Sequence, residues 1–206
     1  MKALVVYCHP SGESFTAGIR DLVLKHLSEA GAEIRLRDLY AEGFDPVLPL
    51  PEWTGYLETP ANRAPVEDHC ADLEWCDTLI FVYPTWWYGL PAMLKGWLDR
   101  VFLPDVAFLM PKADGEVIRP GLHHITRLGI FTTCGASWWL TRFVGAPGRR
   151  TIARGLGLLL HRRARRAFAA HYLMDSSTPE SRRKHLARVS RQMTRLLRPL
   201  KQGSQT

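Results

Sequence analysis

Three short segments hold the residues that could do chemistry. The first runs His9-Pro10-Ser11-Gly12-Glu13-Ser14-Phe15-Thr16. It offers an imidazole, hydroxyls at Ser11, Ser14 and Thr16, and the free N–H groups of a helix start, which together suit an anion such as phosphate. Ser14 would equally serve as a plain helix cap, and at this point both readings stand. The segment is no Walker loop, because no Gly-Lys-Ser/Thr follows, and it lacks the GxGxxG dinucleotide fingerprint. The second segment is Pro84-Thr85-Trp86-Trp87-Tyr88-Gly89. Three consecutive aromatic rings are costly to leave wet, and three adjacent side chains cannot all face one core. At least one must face a cleft, a ligand or a partner. Gly89 is expected to let the backbone approach a flat ligand closely. The third segment is Thr132-Thr133-Cys134-Gly135-Ala136-Ser137-Trp138-Trp139. It again sets hydroxyl and backbone donors beside a flat apolar surface, so Trp87, Tyr88 and Trp138 are the candidates for a stacking pocket. A nucleophilic Cys134 would need an activating base and an electropositive setting, and no histidine lies locally. Neither Gly12-Glu13-Ser14 nor Gly135-Ala136-Ser137 completes the GxSxG of a serine hydrolase. No residue is assigned an acid–base role. A flat, phosphorylated aromatic cofactor fits the three segments together, and flavin mononucleotide (FMN) has that shape. Backbone N–H groups would then stabilise charge developing on its ring.

These segments need a scaffold, and the hydrophobic pattern supplies one. Continuous or alternating apolar runs predict strands over 2–8, 33–39, 78–84, 127–134 and 166–173. Helical spacing predicts helices over 15–30, 66–76, 90–102, 147–160 and 178–198. Between them, 40–65 is a proline-rich excursion with Pro46, Pro49, Pro51, Pro60 and Pro65. Loops of such length are usually functional or at an interface. Strand and helix alternating five times means an α/β fold with a parallel sheet. Ligands of such sheets bind at the carboxyl ends of the strands, where all three segments fall. We expect one domain over 1–200, with 201–206 as a flexible tail.

Composition narrows the class. The chain has 206 residues, 46% hydrophobic and 23% charged, which excludes wholesale disorder, a collagen repeat and a coiled coil. No apolar run approaches the roughly 18 residues of a membrane span. The apolar stretch at the start, Ala3–Cys8, is too short for a signal peptide, so a cytoplasmic protein is expected. Cys8, Cys70, Cys76 and Cys134 form no CxxC pair and match no zinc spacing, so no metal site is expected and the thiols read as small buried hydrophobes. The net charge of +7 is uneven: residues 1–148 carry −6 and residues 149–206 carry +13. The arginines at 182, 183, 188, 191, 195 and 198 lie mostly off the apolar stripe of the last helix, as on a solvated face. Arg149, Arg150 and Arg154 follow the third segment and could reach a phosphate of a dinucleotide. No nucleic-acid binding is expected.

Four stretches resemble the NAD(P)H:quinone oxidoreductases of the flavodoxin-like fold, the DT-diaphorase-like group that includes potassium-efflux ancillary proteins. They are HPSGESF (9–15), DLYAEGFDP (38–46), FVYPTWWYGLPAMLKGWLDRVF (81–102) and TTCGA (132–136). Their order and spacing span about residues 2–198. The resemblance implies a five-stranded doubly wound parallel sheet with helices on both faces, bound FMN or FAD, and a homodimer. It also implies ping-pong hydride transfer from NAD(P)H to quinones or related flat acceptors. It places His9, Ser14, Phe15 and Thr16 at the cofactor phosphate. Pro84, Thr85, Trp86, Trp87, Tyr88 and Gly89 would support the ring, with Thr132, Thr133, Cys134 and Gly135 along its other edge. The tyrosine and histidine that assist charge movement in mammalian members are absent, and Trp138, Trp139 and Leu140 occupy that neighbourhood. Because the group also contains ancillary proteins, the alternative is a flavin-bearing subunit that contacts a membrane transporter and turns over little.

Overall fold

The computed structural model describes residues 1–113 and 115–199. The tail expected over 201–206 lies outside the described residues. Strands β1 (Lys2–Tyr7), β2 (Glu33–Asp38) and β3 (Thr78–Thr85) come first in the chain. A two-residue ribbon pairs β4 (Phe108–Leu109) with β5 (Arg119–Pro120), and β6 (Arg127–Cys134) and β7 (Arg165–His171) follow. The main sheet has the order β2-β1-β3-β6-β7 and every pair in it is parallel. Val5 sits between Leu36 and Ile80, which fixes the register at the sheet centre. β1 and β3 are apolar on both faces because both faces are covered. The five expected strands are the five strands of the main sheet, and the β4-β5 ribbon was not expected.

The helices are α1 (Phe15–Glu29), α2 (Leu50–Thr54), α3 (Glu67–Trp75), α4 (Ala92–Val101), α5 (Trp138–Phe143), α6 (Pro147–Arg150) and α7 (Pro179–Leu197). One core lies under α1 and α7, where Ile19, Val23 and Leu27 meet Val189, Met193 and Leu196 across Val5 and Val82. The other lies under α3 and α4, where Cys70, Leu73, Leu94, Trp97 and Val101 pack on Leu4, Val6 and Phe81. The sheet is thus covered on both faces. The arginines at 182, 183, 188, 191, 195 and 198 are all exposed. Among the described residues no helix is long and apolar enough to cross a membrane.

Two expectations are corrected. The single helix over 147–160 is α6 followed by a π turn at Thr151–Gly155 and a 3-10 turn at Leu156–Leu158. Ile152 and Leu156 still reach the core, but Gly155 and Gly157 remove the propensity that would hold one pitch. The excursion over 40–65 is not all loop: it contains α2 and a 3-10 turn at Ala61–Val66. Its backbone at Pro46 lies on Gly96 of α4, where a Cβ would have no room. Glu52 takes an ion pair from Arg100 of the same helix, which fixes the excursion beside the core.

Cys8, Cys70 and Cys76 are fully buried, and burial pushes their thiols up to about 12. They are protonated and inert at neutral pH, as the reading of them as hydrophobes expects.

Candidate functional site

The chain turns back across the sheet between β1 and β3, and ligands of open α/β sheets bind at such a switch point. A cavity of about 690 Å³ opens there. That volume is within the roughly 300–1,000 Å³ of small-molecule sites. From the loop after β1 it is lined by His9, Ser14, Phe15 and Thr16. From the end of β3 it takes Pro84, Thr85, Trp86, Trp87 and Tyr88, and from the end of β6 Thr133, Cys134 and Gly135. The sequence-predicted residues converge, with three exceptions. Thr132 stands behind the wall, its Oγ1 2.8 Å from Oγ1 of Thr85. Gly89 closes the aromatic turn from outside the lining. Trp138 also lies outside it, stacked edge-on against Trp139 at 4.7 Å, while Leu140 of the same helix lines the cavity instead.

In the first loop the capping role of Ser14 is realised, and the geometry leaves donors free for an anion. Ser14 Oγ accepts from the Ala17 amide at 3.1 Å and caps α1. The amides of Phe15 and Thr16 precede the first intrahelical bond, so they remain as donors for an anion. Thr16 Oγ1 lies 3.2 Å from Thr133 Oγ1 and ties this loop to the end of β6. His9 Nδ1 accepts from the Ser11 amide at 3.0 Å, and burial lowers the imidazole below its ordinary range. Nδ1 also lies 3.1 Å from the Ser11 carbonyl, so the loop backbone orients the ring, which is neutral at pH 7 and stands at the cavity wall.

The second loop is a two-residue turn. Gly89 donates its amide to the Trp86 carbonyl at 2.9 Å, and Trp87 and Tyr88 stand at φ 48° and 61°. Positive φ at both central residues is the type I′ turn that normally selects Asn-Gly. Here two bulky aromatic residues occupy it. Trp87 is 94% exposed, so it has no core role. Within the protein, the close backbone approach at this turn is made by Gly148. A Cβ on Gly89 would meet only carbonyl oxygens at 3.8 Å, whereas one on Gly148 would sit 3.0 Å from the Gly89 carbonyl carbon. Gly148 of α6 thus holds the aromatic turn from behind. Gly148→Ala is expected to cost about 1 kcal/mol of stability through overpacking and to displace this turn. Unfolding midpoints together with ligand titration check both effects.

In the third loop Cys134 is buried with Sγ 3.6 Å from Thr141 Oγ1. The thiol packs against α5. Gly135 has its own reason: a Cβ there would meet Asp175 Oδ2 at 2.8 Å. Asp175 and Met174, from the loop after β7, line the cavity together with Ala136 and Leu140. Met174 and Asp175 were not singled out from the sequence, and Ala136 and Leu140 were named there without a place in the lining. The carboxyl-end rule that pointed to three loops applies equally to the loop after β7.

A five-stranded parallel sheet in this order, with a hydroxyl- and amide-rich loop at its switch point, defines a doubly wound α/β protein. The chain belongs to the flavodoxin-like fold family, whose model matches residues 1–193. It is similar to the NAD(P)H dehydrogenase [quinone] 1 of Cavia porcellus, 33% identical over 123 residues, which cover 52% of this chain and 45% of that protein. The chain spans about half the length of the curated relatives it matches. Among solved structures, Smu.1420 from Streptococcus mutans UA159 is 30% identical over 95% of this chain and 100% of that one, with a TM-score of 0.79. The FMN-dependent NADH-azoreductase of Bacillus anthracis, in complex with FMN, shares the fold at a TM-score of 0.74 and 16% identity, covering 95% of this chain and 99% of that one.

Proposed function

We propose that the switch-point cavity binds a flavin, FMN or FAD, and that the chain works as an NAD(P)H:quinone oxidoreductase. One observation carries the reading: anion donors, hydroxyls and exposed aromatic rings from separate strand ends line a single cavity. The Phe15 and Thr16 amides and the neutral His9 suit a phosphate. Trp86, Trp87 and Tyr88 offer one flat wall, and Thr133, Cys134 and Gly135 offer backbone and hydroxyl groups along another. The names of the relatives, a quinone dehydrogenase and an FMN-dependent azoreductase, point the same way.

A flavin held there supplies the hydride chemistry. The protein's part is to orient, to exclude water and to place donors. In the overall reaction NAD(P)H becomes NAD(P)⁺ and the quinone becomes a hydroquinone, with the second proton drawn from water. No acid or base of this chain is required for that balance.

The aromatic rim supports a homodimer. Trp139 is 76% exposed and Phe143 89% exposed, on the helix that also lends Leu140 to the cavity. Large apolar side chains exposed together mark a surface that is covered in the working protein. A second copy placed there would also close the open side of the cavity.

The test is simple. Purified protein is expected to be yellow, to release FMN or FAD of identifiable mass on denaturation, and to oxidise NAD(P)H steadily when a soluble quinone is supplied. A colourless protein that gains no flavin absorbance with either FMN or FAD would overturn the cofactor assignment. Flavin without quinone turnover would favour the ancillary-subunit reading instead.

A further inference from the structure

Five arginines line one cavity of about 440 Å³ beside the switch-point site: Arg142, Arg149, Arg150, Arg154 and Arg166. No carboxylate lines it, and among the described residues none of the five is in an ion pair. Several arginines elsewhere in the fold are paired. Arg35, Arg37, Arg63 and Arg100 each meet an aspartate or a glutamate. The five guanidinium groups are exposed and like-charged, and an anion shared among them relieves their mutual repulsion.

The cavity is also shaped for the guanidinium groups. Arg166 donates to the carbonyls of Ala153 at 2.7 Å and Gly157 at 3.1 Å, which pins it to the broken helix. A Cβ on Gly157 would lie 2.9 Å from Arg166 Nη2, so that glycine makes the position available. Gly145, at φ +95°, does the same for Arg150, whose Nη1 would be 3.2 Å from a Cβ there. Arg149 lies over the Phe168 ring at 4.4 Å. Guanidinium groups held in this way lose little freedom when they engage a ligand.

We infer that this cavity is a binding site for a phosphate-type dianion, separate from the flavin cavity. The inference stands whether or not a flavin fills the neighbouring site. The two lie close: Ala146, Arg149 and Phe168 also line a small void that reaches Tyr88 and Cys134 of the switch-point wall. The same chemistry could come from the 2′-phosphate of NADPH or from free phosphate, and forked guanidinium donors match either.

Calorimetric titration of the holoprotein with inorganic phosphate, 5′-AMP and 2′,5′-ADP, at low and raised salt, tests this. At least one ligand is expected to bind in a salt-sensitive manner. Arg150→Ala/Arg154→Ala is expected to weaken it about tenfold or more, while Arg188→Ala/Arg191→Ala on α7 removes the same charge without effect. Flavin content, measured alongside, is expected to stay unchanged in both variants. A preference for 2′,5′-ADP over 5′-AMP supports the site and assigns it to the NADPH phosphate. Equal binding of all three supports it as a free-phosphate site. Absence of binding up to millimolar ligand, or equal weakening by the α7 pair, would overturn it.

Discussion

Lowering the pH from 7 to 4 is expected to remove a large part of the folding stability, and two buried imidazoles account for it. Burial lowers His185 to about 4, helped by His171 and Arg188, and lowers His69 to about 4, helped chiefly by Arg37. Trp97 Nε1 donates to His69 Nδ1 at 3.2 Å, a bond that a protonated ring cannot accept. Glu42 stands 3.9 Å from His69, but its own carboxyl is raised by burial, so the contact is no strong ion pair. Both histidines have folded values below their ordinary one. The unfolded chain therefore binds more protons in this window, and stability present above about pH 6.5 is lost as the pH falls toward 4. Each shift corresponds to roughly 3 kcal/mol, against a total of about 5–15 kcal/mol for a typical domain. Urea denaturation between pH 7.5 and 4.5 checks this, with His185→Gln and His69→Gln each expected to flatten the profile. A flat wild-type profile would contradict the burial argument. His185 also packs 5.9 Å from Phe15 of the cavity wall, so ligand loss is expected to accompany the acid transition.

His185 illustrates what the sequence conceals. The apolar stripe of α7 was legible at Val189, Met193 and Leu196, but a histidine one turn earlier reads as part of the solvated face until Phe15 and His171 are seen against it. Strands and long helices were legible because their periods are set by burial on a two-faced sheet. Val66, Cys70 and Leu73 came out buried as the helical spacing required. The cavity wall was legible in the loops after β1, β3 and β6, but not in the loop after β7, which adds Met174 and Asp175. It was not legible in α5, because residues two apart on a helix point about 200° away from each other. Whether Trp138 or Leu140 faces the cavity depends on where that helix starts, and composition does not set the start. The pitch changes over 151–158 and the room that Gly145 and Gly157 make for guanidinium groups are tertiary facts with no local signature.

The aromatic turn yields the second large effect, with opposite signs for folding and binding. Trp87 and Tyr88 hold left-handed backbone that bulky residues rarely adopt, at a cost of about 1–3 kcal/mol each. Trp87 contributes no core packing to offset this, since it is almost wholly exposed. Asn-Gly is the dipeptide that a type I′ turn prefers. The double substitution Trp87→Asn/Tyr88→Gly is therefore expected to raise the stability of the flavin-free protein by about 1–3 kcal/mol, after allowing for the partly buried Tyr88 ring. The same change removes two rings from the cavity wall. By analogy with bases stacked on aromatic side chains, each is worth about 1–3 kcal/mol to a flat ligand. Flavin affinity is thus expected to fall by at least tenfold, and quinone turnover with it. Thermal or urea unfolding of the flavin-free proteins, set beside flavin titration, separates the two signs. A destabilised variant with unchanged affinity would mean that the rings serve the fold. A more stable variant that no longer retains flavin would mean that the strain is kept because the site needs those two rings, in that turn, facing the ligand.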